Sequence, residues 1–355
     1  MTRRIPYLDF IRCLAIILVI TLHAMTPILT NTAFYQTKSW YFCMLVDPLN
    51  RAGVPLFFMI SGYLMLSRPS TEQTVKFYKK NLPKLIIPLV SWNLIYCIVA
   101  NFRDNLRINP TTFLQQLLNQ GASYHMWFVY TLLGIYLICP FLRRIIVNCT
   151  FKELSLLIGI ILFPTTIRPF LNIVQPIYIY LFDPLMEGYL GYFLLGYCLG
   201  KIDLNRRIRY IIFIAGGLGY ILGTFGNLIT SSAESIPLPF NGGYSINHYL
   251  IASAIFTLVR SIFQKLEGKT RCNSNLLAHI SNHVFGVYWI HVLVLNEITD
   301  FLGSDLSIIQ FVVLRTVFTI IISFVNTPPE TVPLDRTNGA AKPLKWCMVT
   351  AAMVH

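Results

Sequence analysis

Residues 7–29, YLDFIRCLAIILVITLHAMTPIL, form an apolar stretch that carries two ionisable side chains. The stretch is long enough to cross a bilayer as a helix, which needs about 20 predominantly apolar residues. Arg12 and His23 lie within it, and because ionisable residues are costly to insert there, they mark a functional site by default. Eleven residues at about 100° each come within about 20° of three full turns. Both side chains therefore share one helix face, roughly 16 Å apart along the axis.

Nine further apolar segments follow, and together they indicate the fold class. The chain is 55% hydrophobic and only 12% charged, with a mean hydropathy of +0.60, whereas a soluble domain carries about 25% charged residues. This composition and the segment lengths predict an all-α, polytopic membrane protein with about ten transmembrane helices. The ten segments cover residues 8–29, 43–66, 84–101, 125–141, 153–167, 186–200, 209–226, 246–264, 280–302 and 306–325.

The basic residues predict the orientation of these helices. Of the 28 lysines and arginines, 20 fall before the first segment or after the second, fourth, sixth, eighth and tenth, and 4 fall on the alternate loops. Because cytoplasmic loops carry an excess of Lys and Arg, this distribution predicts that both termini are cytoplasmic. It also accounts for the net charge of +13. No basic stretch is interleaved with aromatic residues as in a nucleic-acid-binding module, so no nucleic-acid partner is expected.

The polarity of the sequence changes at residue 326. Residues 1–325 are predicted to form a membrane-embedded domain, and residues 326–355, which are polar and rich in proline, a disordered cytoplasmic tail. The eight cysteines are scattered, with neither a CxxC motif nor Cys/His ligand spacing. We therefore expect neither a disulfide framework nor a metal site.

The second apolar segment combines charges, a proline and small residues. Asp47 and Arg51 are four residues apart and would pair on one face if this part is helical, either within a site or as an ion pair at the membrane edge. Pro55 predicts a break or the first turn of the spanning helix. Ser61 beside Gly62 is more typical of a packing contact between helices than of a nucleophile, because no GxSxG motif surrounds it.

Four further polar or aromatic residues stand near or within the later segments. His125 and Trp127 lie at the outer end of the fourth segment, where a residue of the interfacial aromatic belt is the simpler explanation of Trp127. His291, deep in the ninth segment, would face a cavity or make an interhelical hydrogen bond, and the sequence leaves both open. Arg315 in the tenth segment is an intramembrane charge that needs a partner, which the sequence does not identify.

These stretches together resemble the acyltransferase 3 family of integral membrane acyltransferases. Within that family the chain is most similar to bacterial O-acetyltransferases that modify O-antigen or enterobacterial common antigen. The resemblance covers about residues 5–325 and includes the Arg-x10-His helix and the FFxxSG block. It is carried, in order, by YLDFIRCLAIILVITLHA, VPLFFMISGYLM, YHMWFVYTLLGIYLICP and FGVYWIH.

The resemblance implies transfer of an acetyl or other short acyl group from cytoplasmic acyl-CoA to a hydroxyl of an envelope carbohydrate. By the same resemblance, His23 matches the family's catalytic histidine and Arg12 its partner arginine. The expected location is the bacterial inner membrane. The expected partners are acyl-CoA, a lipid-linked carbohydrate acceptor and the bilayer. We expect no bound cofactor, because acyl-CoA is a substrate.

Elementary chemistry agrees with these roles. A sugar hydroxyl becomes a good nucleophile when a base takes its proton, and imidazole is well matched to that role near neutral pH. His23 would meet the sugar at the outer end of the helix, while Arg12, with Arg51, would bind the donor. The roughly 16 Å between Arg12 and His23 is of the order of an extended pantetheine arm. An acyl-histidine intermediate is the alternative to direct transfer. The candidates for contacting the acceptor or supporting the catalytic group are Asp47, Ser61, His125, Trp127 and His291.

A transporter or flippase is the second function class that the residues allow. In it, Arg12 and His23 would form a proton relay for moving an envelope intermediate. Transporters often show matching broken helices in two halves of the chain. The Arg-x10-His and FFxxSG blocks have no second copy here, so the sequence favours acyl transfer.

Overall fold

The computed structural model describes residues 4–104, 109–119, 121–174, 188–234, 236, 238–243, 245–266, 274–301 and 308–327. These residues form thirteen α-helices and a few short 3₁₀ turns, without a strand. The prediction of an all-α protein is therefore confirmed. Apart from residues 326 and 327, the predicted tail lies outside the described residues.

Each of the ten predicted apolar segments coincides, within a few residues, with one helix or a consecutive pair. The pair is α2 and α3, which together account for the second segment, and α4 and α6 are short additional helices. The helices are α1 (Pro6–Thr30), α2 (Lys38–Asn50), α3 (Gly53–Leu66), α4 (Thr74–Asn81), α5 (Pro83–Asp104), α6 (Pro110–Leu118), α7 (Trp127–Ile146), α8 (Phe151–Val174), α9 (Tyr189–Lys201), α10 (Arg206–Thr230), α11 (Ile246–Leu266), α12 (Ser274–Phe301) and α13 (Ile308–Val325).

Six stretches among the described residues are long and apolar enough to cross a membrane. They are Pro6–Thr30, Lys38–Leu66, Thr74–Arg103, Tyr124–Ile146, Arg206–Thr230 and Ile246–Leu266. A shorter apolar helix covers Ile309–Val325. The count of about ten spans and the side on which the termini lie stay predictions.

The outward face of α10 shows why these helices suit a bilayer. Ile214, Leu218 and Ile221 are 64%, 60% and 51% exposed, and their spacing of four and then three residues puts them on one helix face. Such a continuous apolar face is unfavourable in water and favourable against lipid tails. Glycines occupy the opposite face of the helix, where α11 packs closely.

Contacts divide the chain into two units. Among the described residues, unit 1 lies within 4–67 and 150–327, and unit 2 lies within 68–149. In unit 2, α4, α5 and α7 pack against one another, and the buried Arg143 pairs with Glu72 at 2.6 Å. The Arg143 guanidinium also lies over the Phe77 ring, 4.5 Å from its centroid.

Unit 1 is built around α1, which contacts α2, α3, α11, α12 and α13. Two side-chain bonds define the ends of this unit. At the Arg12 end, Arg4 donates to the Ala278 carbonyl near the start of α12, at 2.8 Å. At the His23 end, the Tyr35 hydroxyl after α1 donates to the Ser231 carbonyl after α10, at 3.0 Å. Every side chain described below belongs to this unit, except His125, Trp127 and the neighbours of His125.

Of the two predictions for Pro55, a break or the first turn of the spanning helix, the structure agrees with the second. α2 ends at Asn50 and α3 begins at Gly53. Pro55 lies in the first turn of α3, where its missing N–H removes no intrahelical bond. The break places the Asp47–Arg51 pair at the end of α2, beside α1.

Candidate active site

α1 carries Arg12 and His23 on one continuous helix. Pro6 occupies its first turn, and Asp9 places a carboxylate near the positive end of the helix dipole. Because the helix runs unbroken from Pro6 to Thr30, the rise of 1.5 Å per residue separates the two side chains by roughly 16 Å. One rigid element therefore links the two ends of unit 1.

His23 lies against a second histidine, His291 of α12. The two rings stack with their centroids 5.5 Å apart and their planes 26° apart. His291 is fully buried, and its Nδ1 is 2.6 Å from the Tyr288 carbonyl oxygen. Because a carbonyl only accepts, Nδ1 of His291 carries the proton and Nε2 presents a lone pair when the ring is neutral. The structure thus places His291, one of the candidate supporting residues, in direct contact with the predicted base.

Arg315 of α13 has backbone carbonyls as partners. It is 6% exposed, its Nη1 donates to the Ala24 carbonyl at 3.0 Å, and its Nε lies 3.4 Å from the Leu295 carbonyl. Ala24 follows His23, and Leu295 stands one turn after His291. Arg315 therefore ties together the two helices that carry the stacked histidines. The sequence marks this arginine only as a buried charge, since carbonyl partners leave no trace in the residue pattern.

Asp47 and Arg51 form the ion pair that their spacing predicts. Arg51 Nε is 2.7 Å from Asp47 Oδ2, and the Asp47 side chain is 1% exposed, so the pair is deeply buried within unit 1. Arg51 also donates from Nη1 to the Asn241 carbonyl at 2.9 Å. The adjacent Asn50 donates from Nδ2 to Met25 Sδ at 3.4 Å, two residues beyond His23. The pair thus belongs to the surroundings of His23.

Arg12 lies at the other end, in a cluster around Asp9. The buried Asp9 carboxylate receives bonds from Arg4 Nε at 2.7 Å and from the Ser281 hydroxyl at 2.8 Å. Arg12 Nη1 is 3.7 Å from the same carboxylate, and the Arg12 side chain is 33% exposed. Arg4 makes the closer pair with Asp9. The Arg12 guanidinium therefore retains N–H donors that could bind another partner.

Ser61 lies at the tight crossing of α3 and α9. A Cβ atom on Gly62 would overlap the Phe193 backbone, and one on Gly196 would overlap the Met59 backbone. Close approach of this kind is how small residues join helices in membranes. The interpretation of the Ser61-Gly62 pair as a packing contact therefore agrees with its surroundings.

His125 and Trp127 belong to unit 2. His125 is 3% exposed in a 3₁₀ turn before α7, where its Nδ1 is 2.9 Å from the Ser123 hydroxyl and its ring lies 5.3 Å from that of Tyr96. Trp127 begins α7 and is half-buried. The two residues thus lie side by side at the start of α7. The role of either residue toward an acceptor stays a prediction.

Further polar side chains lie at the His23 end without a motif that marks them in the sequence. They are Thr224 and Asn227 near the end of α10, and Asn247 and His248 in the first turn of α11. All four are buried. A polar residue at the end of an apolar segment is ordinary, so only the tertiary structure shows that these residues share one place.

The chemistry available at the His23 end is acid–base and electrostatic. It brings together an imidazole pair, an arginine paired with a carboxylate, and a second arginine bonded to carbonyls. Among the residues that the structure describes, no group of three or more His, Cys, Asp or Glu side chains could hold a metal ion. The expectation of a metal-free site stays a prediction.

Comparison with known proteins places this architecture in a family. The family model of an acyltransferase domain, acyltransferase 3, matches residues 5–326. The chain belongs to this acyltransferase family. The family includes membrane O-acetyltransferases, and the apolar helices of this chain are those of a multi-pass membrane protein.

Other comparisons add little. An amino-acid racemase of Enterococcus faecalis is 28% identical over 134 residues, which is 36% of this chain and 17% of the racemase. Because the chain matches so small a part of that protein, the similarity carries no conclusion about activity. No solved structure matches the chain.

Proposed function

We propose that this acyltransferase moves an acetyl or other short acyl group from cytoplasmic acyl-CoA to a hydroxyl of an envelope carbohydrate, such as O-antigen or a lipid-linked glycan. The observation that carries the proposal is the placement of Arg12 and His23 at the two ends of α1, each in polar surroundings. The protein would lie in the bacterial inner membrane with ten spans and both termini in the cytoplasm. The Arg12 end would then face the cytoplasm, and the His23 end the acceptor.

The donor would extend along α1. Arg12 is partly exposed and offers a planar fork suited to phosphate. Exposed basic residues at the start of α10, Arg206 and Arg207, would attract the polyanionic donor from solution. Arg51 would bind the same donor at its thioester end, since the adjacent Asn50 bonds Met25, two residues beyond His23.

The transfer step then follows from the geometry at His23. An imidazole nitrogen of His23 takes the proton of the sugar hydroxyl, and the oxygen attacks the thioester carbonyl. The positive charge of Arg51 stabilises the oxyanion that develops. As the C–S bond breaks, the imidazolium returns its proton to the leaving thiolate, which gives free CoA and an acylated sugar. The family match favours this reaction over the transport alternative.

Labelled acetyl-CoA tests the proposed reaction. Membranes that contain the protein should release free CoA and transfer label to envelope carbohydrate, and matched membranes without it should not. Mass spectrometry of the carbohydrate should show the mass of one added acetyl group per modified site. Unmodified carbohydrate, with acetyl-CoA intact, would refute the proposed reaction.

Sidedness tests the arrangement of the two substrates. In sealed vesicles of known orientation, acyl-CoA should support transfer only from the face that carries Arg12, Arg206 and Arg207. High salt should weaken its capture, because long-range attraction between exposed charges is screened. Transfer with acyl-CoA supplied only to the opposite face would contradict the arrangement.

A further inference from the structure

A buried polar cluster lies at the His23 end of unit 1, where α2, α10 and α11 meet the connection 238–243. Asn227 of α10 donates from Nδ2 to Asn241 Oδ1 at 2.6 Å and accepts from the Phe240 N–H at 3.0 Å. Asn247 of α11 donates to the Phe240 carbonyl at 3.1 Å. Arg51 joins the network through the Asn241 carbonyl. These bonds hold three helices and one connection in a single arrangement.

Besides Asp47 Oδ1 and Asn241 Nδ2, four polar atoms of this cluster have no hydrogen-bond partner among the residues that the structure describes: Thr224 Oγ1, Ser245 Oγ, Asn247 Oδ1 and His248 Nε2. Each belongs to a residue that is at most 3% exposed. Burying a polar atom without a partner costs about 1–3 kcal/mol, and native proteins hold only a few per hundred residues. Four such atoms in one place indicate a surface built to hydrogen-bond something else.

Ser245, Asn247 and His248 are neighbours in sequence, and Thr224, one helical turn before Asn227 of the same cluster, lies on the helix that packs against them. The His248 N–H donates to the Ser245 carbonyl at 3.0 Å, and Asn247 Nδ2 is 3.4 Å from His248 Nδ1. Asn247 Nδ2 would lie 2.8 Å from a Cβ atom on Gly223, the residue before Thr224. These atoms thus come from the last two turns of α10 and from the start of α11 with the residue before it.

The chemistry of the cluster selects a neutral, hydroxyl-rich ligand. Its side chains are amides, hydroxyls and an imidazole, which offer both donors and acceptors, as each sugar hydroxyl does. Its one cation, Arg51, is paired with its one carboxylate, Asp47, at 2.7 Å. A phosphate dianion would need more than one cation and a metal ion would need several carboxylates, so neither ion suits the cluster.

We propose that this cluster binds the sugar ring of the acceptor and determines which hydroxyl reaches His23. The end of α2 connects the two places, because Arg51 bonds the Asn241 carbonyl of the cluster and the adjacent Asn50 donates to Met25 Sδ at 3.4 Å, two residues beyond His23. The Tyr192 hydroxyl donates to the Gly243 carbonyl at 2.9 Å, which holds the connection over the cluster. The inference rests on the proposed function, since it assigns the acceptor of the same reaction.

Removing single hydroxyl groups tests the assignment. Thr224→Val and Ser245→Ala delete atoms that make no described bond in the protein, so neither substitution should destabilise the fold. Thr257→Val is the matched control. Thr257 is a 2% exposed threonine of α11 whose Oγ1 also lacks a partner among the described residues, nine residues beyond His248, or about 13 Å along the axis.

Binding is measured on the detergent-purified protein with a panel of methyl glycosides as probes. We expect at least one glycoside to bind the wild type, and its Kd to rise about three- to tenfold in Thr224→Val and in Ser245→Ala, the effect of one lost hydrogen bond. Thr257→Val should bind it as the wild type does. Equal affinity in all four proteins, or a wild type that binds no glycoside, would overturn the assignment.

Two further measurements separate this inference from the proposed function. With the best glycoside as acceptor, Thr224→Val should raise the acceptor KM relative to the donor KM and change the ratio of acylated positions. A cluster that only supports the fold would alter the unfolding temperature and leave that ratio as in the wild type. If glycosides bind as expected but acetyl-CoA is not consumed, the proposed reaction fails while the sugar site stands.

Discussion

Gly53 sits where α3 passes α1, two residues after Arg51, and its substitution tests how closely the site depends on helix packing. A Cβ atom at Gly53 would lie 2.8 Å from the Ala15 carbonyl oxygen, 3.1 Å from the Val19 nitrogen and 2.9 Å from Val19 Cγ2. The Ala15 carbonyl oxygen and the Val19 nitrogen are the acceptor and donor of one helical hydrogen bond of α1. Neither atom can therefore shift away without disturbing that bond. Val19 is β-branched and stiff in a helix. Gly53→Ala should therefore push the two helices apart.

The size of the effect follows from these distances. Ordinary contact begins at about 3.4 Å, so the 2.8 Å approach requires the helices to separate by about 0.6 Å. Overpacking of this kind costs about 1–3 kcal/mol, and alanine in place of glycine returns about 1 kcal/mol of helix propensity. We expect a net destabilisation of about 0–2 kcal/mol. Because a misplacement of about 1 Å can reduce a rate by about 10²-fold, the shift of Arg51 relative to His23 should lower kcat about tenfold.

The assay compares Gly53→Ala with Gly217→Ala in the same membranes. Gly217 lies on α10 with no described atom within 4 Å of an added Cβ. The only effect expected of Gly217→Ala is therefore the gain in helix propensity. Unfolding temperature in detergent and acyl transfer from labelled acetyl-CoA are measured for both variants. If Gly53→Ala retains the stability and the activity of Gly217→Ala, the link between this crossing and the site is refuted.

Three further substitutions test the roles assigned to the charged and titratable residues. His23→Ala should abolish transfer while the protein still inserts, because loss of a general base costs about 10²–10⁴-fold; more than about a tenth of wild-type activity would exclude the role. Arg12→Lys should raise the KM for acyl-CoA more than it lowers kcat, since lysine lacks the bidentate fork; unchanged kinetics with less protein in the membrane would indicate a structural arginine instead. Arg315→Lys should lower kcat about tenfold with little change in the donor KM, because one ammonium cannot replace the guanidinium that bonds the Ala24 and Leu295 carbonyls. Arg260→Lys, at the Arg12 end, is its control, since Arg260 also bonds the Leu199 carbonyl; equal losses of kcat in both variants would contradict a special role for Arg315.

Local periodicity explains what could be predicted about the fold. Apolar runs of about 20 residues must be helical in a bilayer, because every backbone polar group needs a partner within the segment. The ten apolar segments therefore all appear as helices, and Pro55 falls in the first turn of α3, one of the two placements predicted for it. Membership of the acyltransferase family was also predictable, because its motifs are contiguous in the chain.

The candidate site likewise has one part that the sequence predicts and another that only the tertiary structure determines. The shared helix face of Arg12 and His23 and the pairing of Asp47 with Arg51 are relations within one helix, set by residues of known spacing. The sequence alone determined these. The stacking of His23 on His291, the bond of Arg315 to the Ala24 carbonyl and the bond of Arg51 to the Asn241 carbonyl join residues 268, 291 and 190 positions apart. Only the packing of separate helices decides such contacts, because spacing within one segment carries no information about which neighbour it meets.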